Sequence, residues 1–523
     1  MDFKSTAGGV FMRRFVVALA SVIAAVSAAH AADLPTTKPP AAVPVNCFAS
    51  FWTWLDSTAA DCPLSYAGFT VFGTLDWGMG YESNGADYNA AYTNNVANII
   101  TKQSNGAKWV QTPNGLGQSV VGVNMREPIG YGWSLIGTWE MGFNPYYGYL
   151  ADAERSMVQN NGKALILQNA NGDSSRTGQW DNGQGFIGVS NKTYGTLTVG
   201  RVNTLSLDGL IAYDPMSTAY AFSPFGFTGS FAGFGDTEAA RANTAVKYRV
   251  DFMNFRGAGL VQWGGYNQGN ATTGMYQGQI GADFANVFGG VLSLDGIGSY
   301  SKDTVLPSTF TGTCTLIKTG PFAGQNGCSD GVPMFYSNTD LKATLSNNTG
   351  FLLLARYKWG PATLYGGYGW IKQANPSDDF LNGFKTIGGW NVPGTIPSTI
   401  PGAATLFPTQ WTIDNAFTIN RIAPYFWFGA KYAINSQIDV TGAFYYLSQN
   451  DFSATPCTGT GIHTSSGSCS GSEDFLSFLI DYRPVKRVDL YAGVMLSNVY
   501  GGLASGFQQV QTINPTAGLR VKF

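Results

Sequence analysis

Charge is scarce in this chain: 12% of its 523 residues are Asp, Glu, Lys or Arg, against about a quarter in an ordinary soluble domain. Histidine is scarcer still, with His30 and His463 the two copies. A His-based metal centre or a Ser/His catalytic pair therefore has almost nothing to be built from. Long apolar runs are missing as well. The longest, about 15 residues from Phe15 to Ala29, is short for a bilayer-crossing helix. Nothing later matches it, which excludes a helical membrane protein. Positive charge is not in excess, with 30 basic against 32 acidic residues, so nothing recommends a nucleic-acid partner.

The apolar run has a different use. Met12-Arg13-Arg14 supplies a charged start, Phe15 to Ala29 the apolar stretch, and Ala29-His30-Ala31 an A-x-A cleavage site. Residues 1–31 read as a secretory signal, and the mature chain is expected to begin at Ala32. Removing Lys4, Arg13, Arg14 and Asp2 leaves 27 basic and 31 acidic residues, a net charge of −4. In an exported chain the six cysteines read as disulfides between near neighbours: Cys47 with Cys62, Cys314 with Cys328, and Cys457 with Cys469. They lack the C-x2-C spacing and the histidine companions of a zinc site. No metal and no cofactor is expected.

What the chain does have is 14% aromatic residues and 67 glycines, with a mean hydropathy of −0.02. Apolar residues are dispersed at period two. At the C-terminus Leu519, Val521 and Phe523 share one face, and Arg520 and Lys522 the other. In 241–252, Arg241, Asn243, Ala245, Lys247, Arg249 and Asp251 oppose Thr244, Val246, Tyr248, Val250 and Phe252. Near 425–434, Phe426, Phe428, Ala430, Tyr432 and Ile434 oppose Lys431. Sixteen such segments lie between residues 68 and 523. They alternate between tight turns, such as Trp359-Gly360-Pro361, and long polar connections near 84–115, 144–182, 203–241, 303–348, 374–418 and 450–472. An exported chain with strands apolar on one face and polar on the other predicts an all-β, 16-stranded antiparallel transmembrane β-barrel over residues 65–523. Short turns then face the periplasm and long loops the exterior. A barrel of that width leaves an aqueous interior. Residues 32–64, Pro-rich and then closed by Cys47 and Cys62, are expected to form a periplasmic or plug-like extension.

Several stretches resemble the Gram-negative general porin family, especially its alphaproteobacterial branch. Gly122-Val123 through Gly130-Tyr131-Gly132 and Trp139-Glu140-Met141-Gly142-Phe143 resemble its second hairpin. Gly185-Phe186-Ile187-Gly188-Val189-Ser190 and Tyr194-Gly195-Thr196-Leu197-Thr198-Val199-Gly200-Arg201 resemble the hairpin before its third loop. Arg241 to Tyr248 resembles the strand leaving that loop, and Pro484 to Tyr491 a turn near the end. The resemblance implies a homotrimeric, passive channel for ions and small hydrophilic solutes in the Gram-negative outer membrane. It would contact lipid and lipopolysaccharide, and Phe523 would be read by the outer-membrane assembly machinery. The third loop, about 203–241, would fold into the lumen. Its carboxylates Asp208, Asp214, Asp236 and Glu238 would face Arg241, Lys247 and Arg249 on the wall, producing a transverse field.

The sequence departs from the family pattern at two points. The glutamate of the loop tip is absent from Pro224-Phe225-Gly226, and small residues around Gly183 replace an arginine. The loop is rich in aromatics (Tyr213, Tyr220, Phe222, Phe225, Phe227, Phe231, Phe234). These leave a sugar-selective channel as the alternative, with a closed-lumen adhesin behind it. An enzyme would have to be built on His463 in a surface loop. Gly366-Gly367-Tyr368-Gly369 has no following helix to make it a phosphate loop. Asn191-Lys192-Thr193 reads as a turn rather than a glycosylation site.

Overall fold

Period-two alternation produces strands wherever one face meets lipid and the other does not. The computed structural model describes residues 46–85, 106–146, 183–228, 241–263, 274–309, 314–316, 326–328, 341–375, 386–387, 390–391, 412–413, 417–505, 507 and 509–523. Residues 1–45, with the expected signal segment 1–31, lie outside them. Among the described residues sixteen long strands form one sheet. They are β1 Phe69–Glu82, β2 Ser119–Gly130, β3 Trp133–Phe143, β4 Gly185–Asn191, β5 Gly195–Asn203 and β6 Arg241–Phe252. There follow β7 Phe255–Trp263, β8 Gly274–Val287, β9 Gly290–Thr309, β10 Leu341–Trp359 and β11 Ala362–Ala374. The last are β12 Arg421–Ala433, β13 Ile438–Gln449, β14 Gly471–Val485, β15 Val488–Gly501 and β16 Gln511–Lys522.

Each strand pairs antiparallel with its predecessor. β16 returns to β1, with Leu75 opposite Val521 and Asp76 opposite Arg520. The meander is closed, so no backbone edge is left for lipid to solvate. The faces sort inside out relative to a soluble protein. In β16, Ile513 and Leu519 are exposed at 39% and 36%, while Thr512, Asn514 and Thr516 are at most 3% exposed. β13 alternates half-exposed and buried residues without a break.

Connections of two to four residues join β2–β3, β4–β5, β6–β7, β8–β9, β10–β11, β12–β13 and β14–β15, all at one end. The β8–β9 turn needs positive φ at both its residues, Phe288 at 47° and Gly289 at 80°, the geometry that matches strand twist in a two-residue hairpin. Long connections open at the other end. β9 and β10 run further than the alternation predicts. Beyond a bulge after Ser301, Thr304 to Thr309 pair with Leu341 to Ser346, and this ladder carries no two-faced signal.

Residues 47–523 form one compact unit. Within it α1 (Phe51–Leu55), capped by Ser50 Oγ accepting from Thr53 N at 3.1 Å, lies inside the Cys47–Cys62 disulfide. Arg487, in the β14–β15 turn and 1% exposed, donates to the carbonyls of Trp54, Thr58 and Cys62 at 2.9, 3.1 and 2.7 Å. The 47–62 segment therefore docks at the short-turn rim. Cys457 and Cys469 are also bonded, and a short hairpin pairs Cys314 with Cys328 in backbone register.

Candidate functional site

The lumen is divided by the chain segment that follows β5. Thr204 caps α2 (Leu205–Tyr213), its hydroxyl accepting from Leu207 N at 3.2 Å. Leu205, Ser206, Leu207, Gly209, Leu210 and Tyr213 are all buried. A helix this apolar around its circumference needs cover on nearly every side. The inner wall provides it through Ile297, Leu352, Leu354 and Ile371. Gly209 permits the approach, because a Cβ there would sit 2.7 Å from Ile297 Cδ1 and 2.8 Å from Leu354 Cδ1. Gln277 Oε1 accepts from Leu205 N at 2.7 Å.

The far end of α2 is fastened by charge. Arg256 donates to both oxygens of Asp295, to Asp283 at 2.8 Å and to the Tyr213 hydroxyl at 2.9 Å. Tyr213 in turn donates a short bond to Asp295. Arg356 donates to Ala212 O at 3.3 Å and lies over the Tyr213 ring. Asp214 follows, fully buried, accepting from Tyr445 Oη at 2.5 Å and Thr218 N at 2.7 Å. Burial pushes its carboxyl above the ordinary carboxylate range, and the hydrogen bonds oppose that shift.

α3 (Pro224–Thr228) then brings Phe225 into a cage of Tyr425, Trp427 and Tyr445, with ring centroids 6.1, 4.8 and 5.3 Å away. The Gly366–Gly369 run lies inside β11, where the rings of Trp427 and Tyr425 occupy the space that side chains at Gly367 and Gly369 would fill. Phe222 meets Tyr491 edge-on, and Ala221 N donates to Gly115 O at 2.9 Å. Gly115 belongs to a second inward segment, whose Leu116 and Gly117 amides donate to Asp76 at 2.7 and 3.1 Å. Loop and segment together line strands β8 to β16 and β1.

Strands β2 to β6 are lined differently. Asn124, Thr138, Ser190 and Thr196 face inward and keep access to solvent. Glu140 folds over Gly183, accepting from Gln184 N at 2.9 Å and pairing with Arg241 at 3.3 Å. Lys247 meets Asp208 of α2 at 2.5 Å and also donates to Asn203 O. Arg249, nearer the short-turn mouth, reaches Asp251 at 3.9 Å with 41% of its side chain exposed.

Asp208 and Lys247, a loop acid and a wall base, are therefore brought together, in contact rather than across a gap. Asp214 is taken away from the lumen to anchor the loop. Arg241 finds its carboxylate on the wall. Asp236 and Glu238 lie outside the described residues. Phe523 pairs with Gly73 through both backbone bonds at 2.9 Å. His463 is exposed in the surface turn Gly461–His463. The aromatics Tyr213, Tyr220, Phe222 and Phe225 are at most 4% exposed and pack the loop onto the wall. Sequence reasoning did not single out Glu140, Arg256, Asp283, Asp295 or Arg356 as lumen groups. Each has the inward parity of its strand, and that was the available signal.

A family model described as Gram-negative porin matches residues 18–501. No curated protein matches the chain. Among solved structures, OmpT, an outer membrane protein of Vibrio cholerae, is 13% identical with a TM-score of 0.50, covering 88% of this chain and 99% of that one. An anion-selective porin from Comamonas acidovorans is also 13% identical with a TM-score of 0.50, covering 87% and 99%. At these identities the likeness shows the fold.

Proposed function

Because the chain belongs to the Gram-negative porin family and is a passive diffusion channel of the outer membrane, we propose that water and small hydrophilic solutes cross between the fastened loop and strands β2 to β6. The observation that carries this is the asymmetry of the lumen. One half of the wall is buried under loop 204–228, and the other keeps polar side chains in contact with water. Asp208 with Lys247 and Glu140 with Arg241 border the passage as closed ion pairs, so their fields largely cancel a few ångströms away. Arg249 stands below them, and Asp236 and Glu238 complete the loop's acidic set.

Residues 1–31 act as the export signal, 32–64 as an N-terminal extension whose segment 47–62 meets the short-turn rim, and 65–523 as the barrel. The resemblance to general porins supports a homotrimer, contacts with lipid and lipopolysaccharide, and reading of Phe523 by the assembly machinery. Transport without chemistry fits a chain whose His463 stands on an exposed turn. The burial of Tyr213, Tyr220, Phe222 and Phe225 argues against a sugar-stacking track built on these rings. The side chains of Phe227, Phe231 and Phe234 lie outside the described residues. Liposome swelling tests this. The expected result is a rate that falls smoothly with solute size for sugars and amino acids alike. Swelling that saturates for one sugar class would overturn general diffusion in favour of a selective channel, and absence of swelling would overturn the channel.

A further inference from the structure

The charges bordering the passage, Asp208 with Lys247 and Glu140 with Arg241, are closed pairs, whereas those at the short-turn mouth do not balance. Three groups there are matched. Arg249 pairs with Asp251, and Arg256 with Asp283 and Asp295, with Arg356, two strands across the wall from Asp283, as the second cation of that cluster. A larger set balances once Asp76, opposite Arg520 on the neighbouring strand, is counted with it. Lys431 and Arg483 share Asp439, Arg483 also holds Asp481, and Arg520 and Lys522 share Asp489. Arg126 and Lys358 face inward near the ends of β2 and β10, both exposed, and no carboxylate partners them among the described residues. On the inner face of this mouth Arg126 and Lys358 are thus the two cations left without a carboxylate among the described residues.

We propose that this mouth biases the channel toward small anions, with Arg126 and Lys358 as the residues that set the preference. The physical basis is local. A water-filled vestibule with low-dielectric walls concentrates counter-ions when its charge has one sign. The effect acts within a Debye length, about 8–10 Å at 0.10–0.15 M salt, which is comparable with the distance from wall to passage. The loop contributes little opposing field in the described residues, since Asp208 is neutralised in contact by Lys247 and Asp214 is sealed beneath Tyr445. The solute class is chloride-sized inorganic anions and small carboxylates.

This inference rests on the channel reading, and one experiment separates their failures. The purified mature protein is inserted into planar bilayers, and the reversal potential is measured under a KCl gradient at low and at high ionic strength. The expected result is a chloride-to-potassium permeability ratio above one that moves toward one as salt rises. In the double variant Arg126→Gln, Lys358→Gln the ratio should drop by at least about twofold, with the conductance steps retained. The single reversal Lys358→Glu should lower it in the same direction, and neither position breaks an ion pair the barrel uses. Conductance with potassium preferred, or an unchanged ratio in both variants, would overturn the anion inference while leaving the channel standing. Absence of any conductance would instead overturn the channel itself.

Discussion

The two halves of the lumen are built from the same strand geometry and opposite side chains. Behind the loop, β8 to β15 point Leu352, Leu354, Tyr425, Trp427, Phe475 and Met495 inward, all at most 3% exposed. Across from it, β2 to β6 point Asn124, Thr138, Ser190, Thr196 and Arg249 into water. The difference teaches that the inner face of a barrel strand takes large apolar side chains where a folded loop covers it. Where it meets a folded loop it turns apolar under the helix and the Phe225 ring, and its remaining polar groups, such as Gln277 and Asp295, are buried and hydrogen-bonded.

The comparison can be broken from the loop side. Arg256→Met removes the cation that holds Asp295, whose side chain is 1% exposed. It should cost about 3–5 kcal/mol, the usual result of leaving one buried charge unpaired. The expected readouts are a lower urea midpoint and a larger, noisier single-channel current as α2 detaches. Phe225→Leu keeps an apolar residue but loses three aromatic contacts. A loss of about 1–3 kcal/mol should follow from the ring pairs, again with added current noise.

Asp214 sharpens the comparison through pH. Its carboxyl is raised by burial, so the protonated form is the one the fold prefers. The loop is then held most firmly in acid, and its anchoring weakens as pH climbs from about 4, the ordinary carboxylate value. Current noise should grow over that range in the native protein and stay flat in Asp214→Asn. On the solvated wall, Ser190→Ala loses one hydroxyl contact to Thr196 of 2.9 Å. It should shift stability by no more than about 0.5 kcal/mol and leave conductance unchanged.

The sixteen strands were legible because lipid imposes an apolar outer face on every one of them. In β16 that alone separates Leu519 and Val521 from Arg520 and Lys522. The lumen was less legible. On β12 the sequence pattern identifies Phe426 and Phe428 as one face, yet Tyr425 and Trp427 on the other are equally apolar because Phe225 rests on them. Ion-pair partners were hidden for a related reason. Asp208 and Lys247 lie 39 residues apart, and Asp214 and Tyr445 lie 231 apart, so the path of the loop decides who meets whom. Asp208 and Asp214 look alike in sequence, one inside α2 and the other just past its end. One ends beside a wall lysine and the other beneath a tyrosine.

Cysteine accessibility read as single-channel current tests the divided lumen most directly. Thr138→Cys on the solvated wall and Leu352→Cys behind α2 are each exposed to a charged thiol reagent after the channel opens in a bilayer. The account predicts that Thr138→Cys reacts and its current steps fall, while Leu352→Cys is unaffected. Reaction at Leu352→Cys with none at Thr138→Cys would place the passage on the other side of the loop and contradict the account.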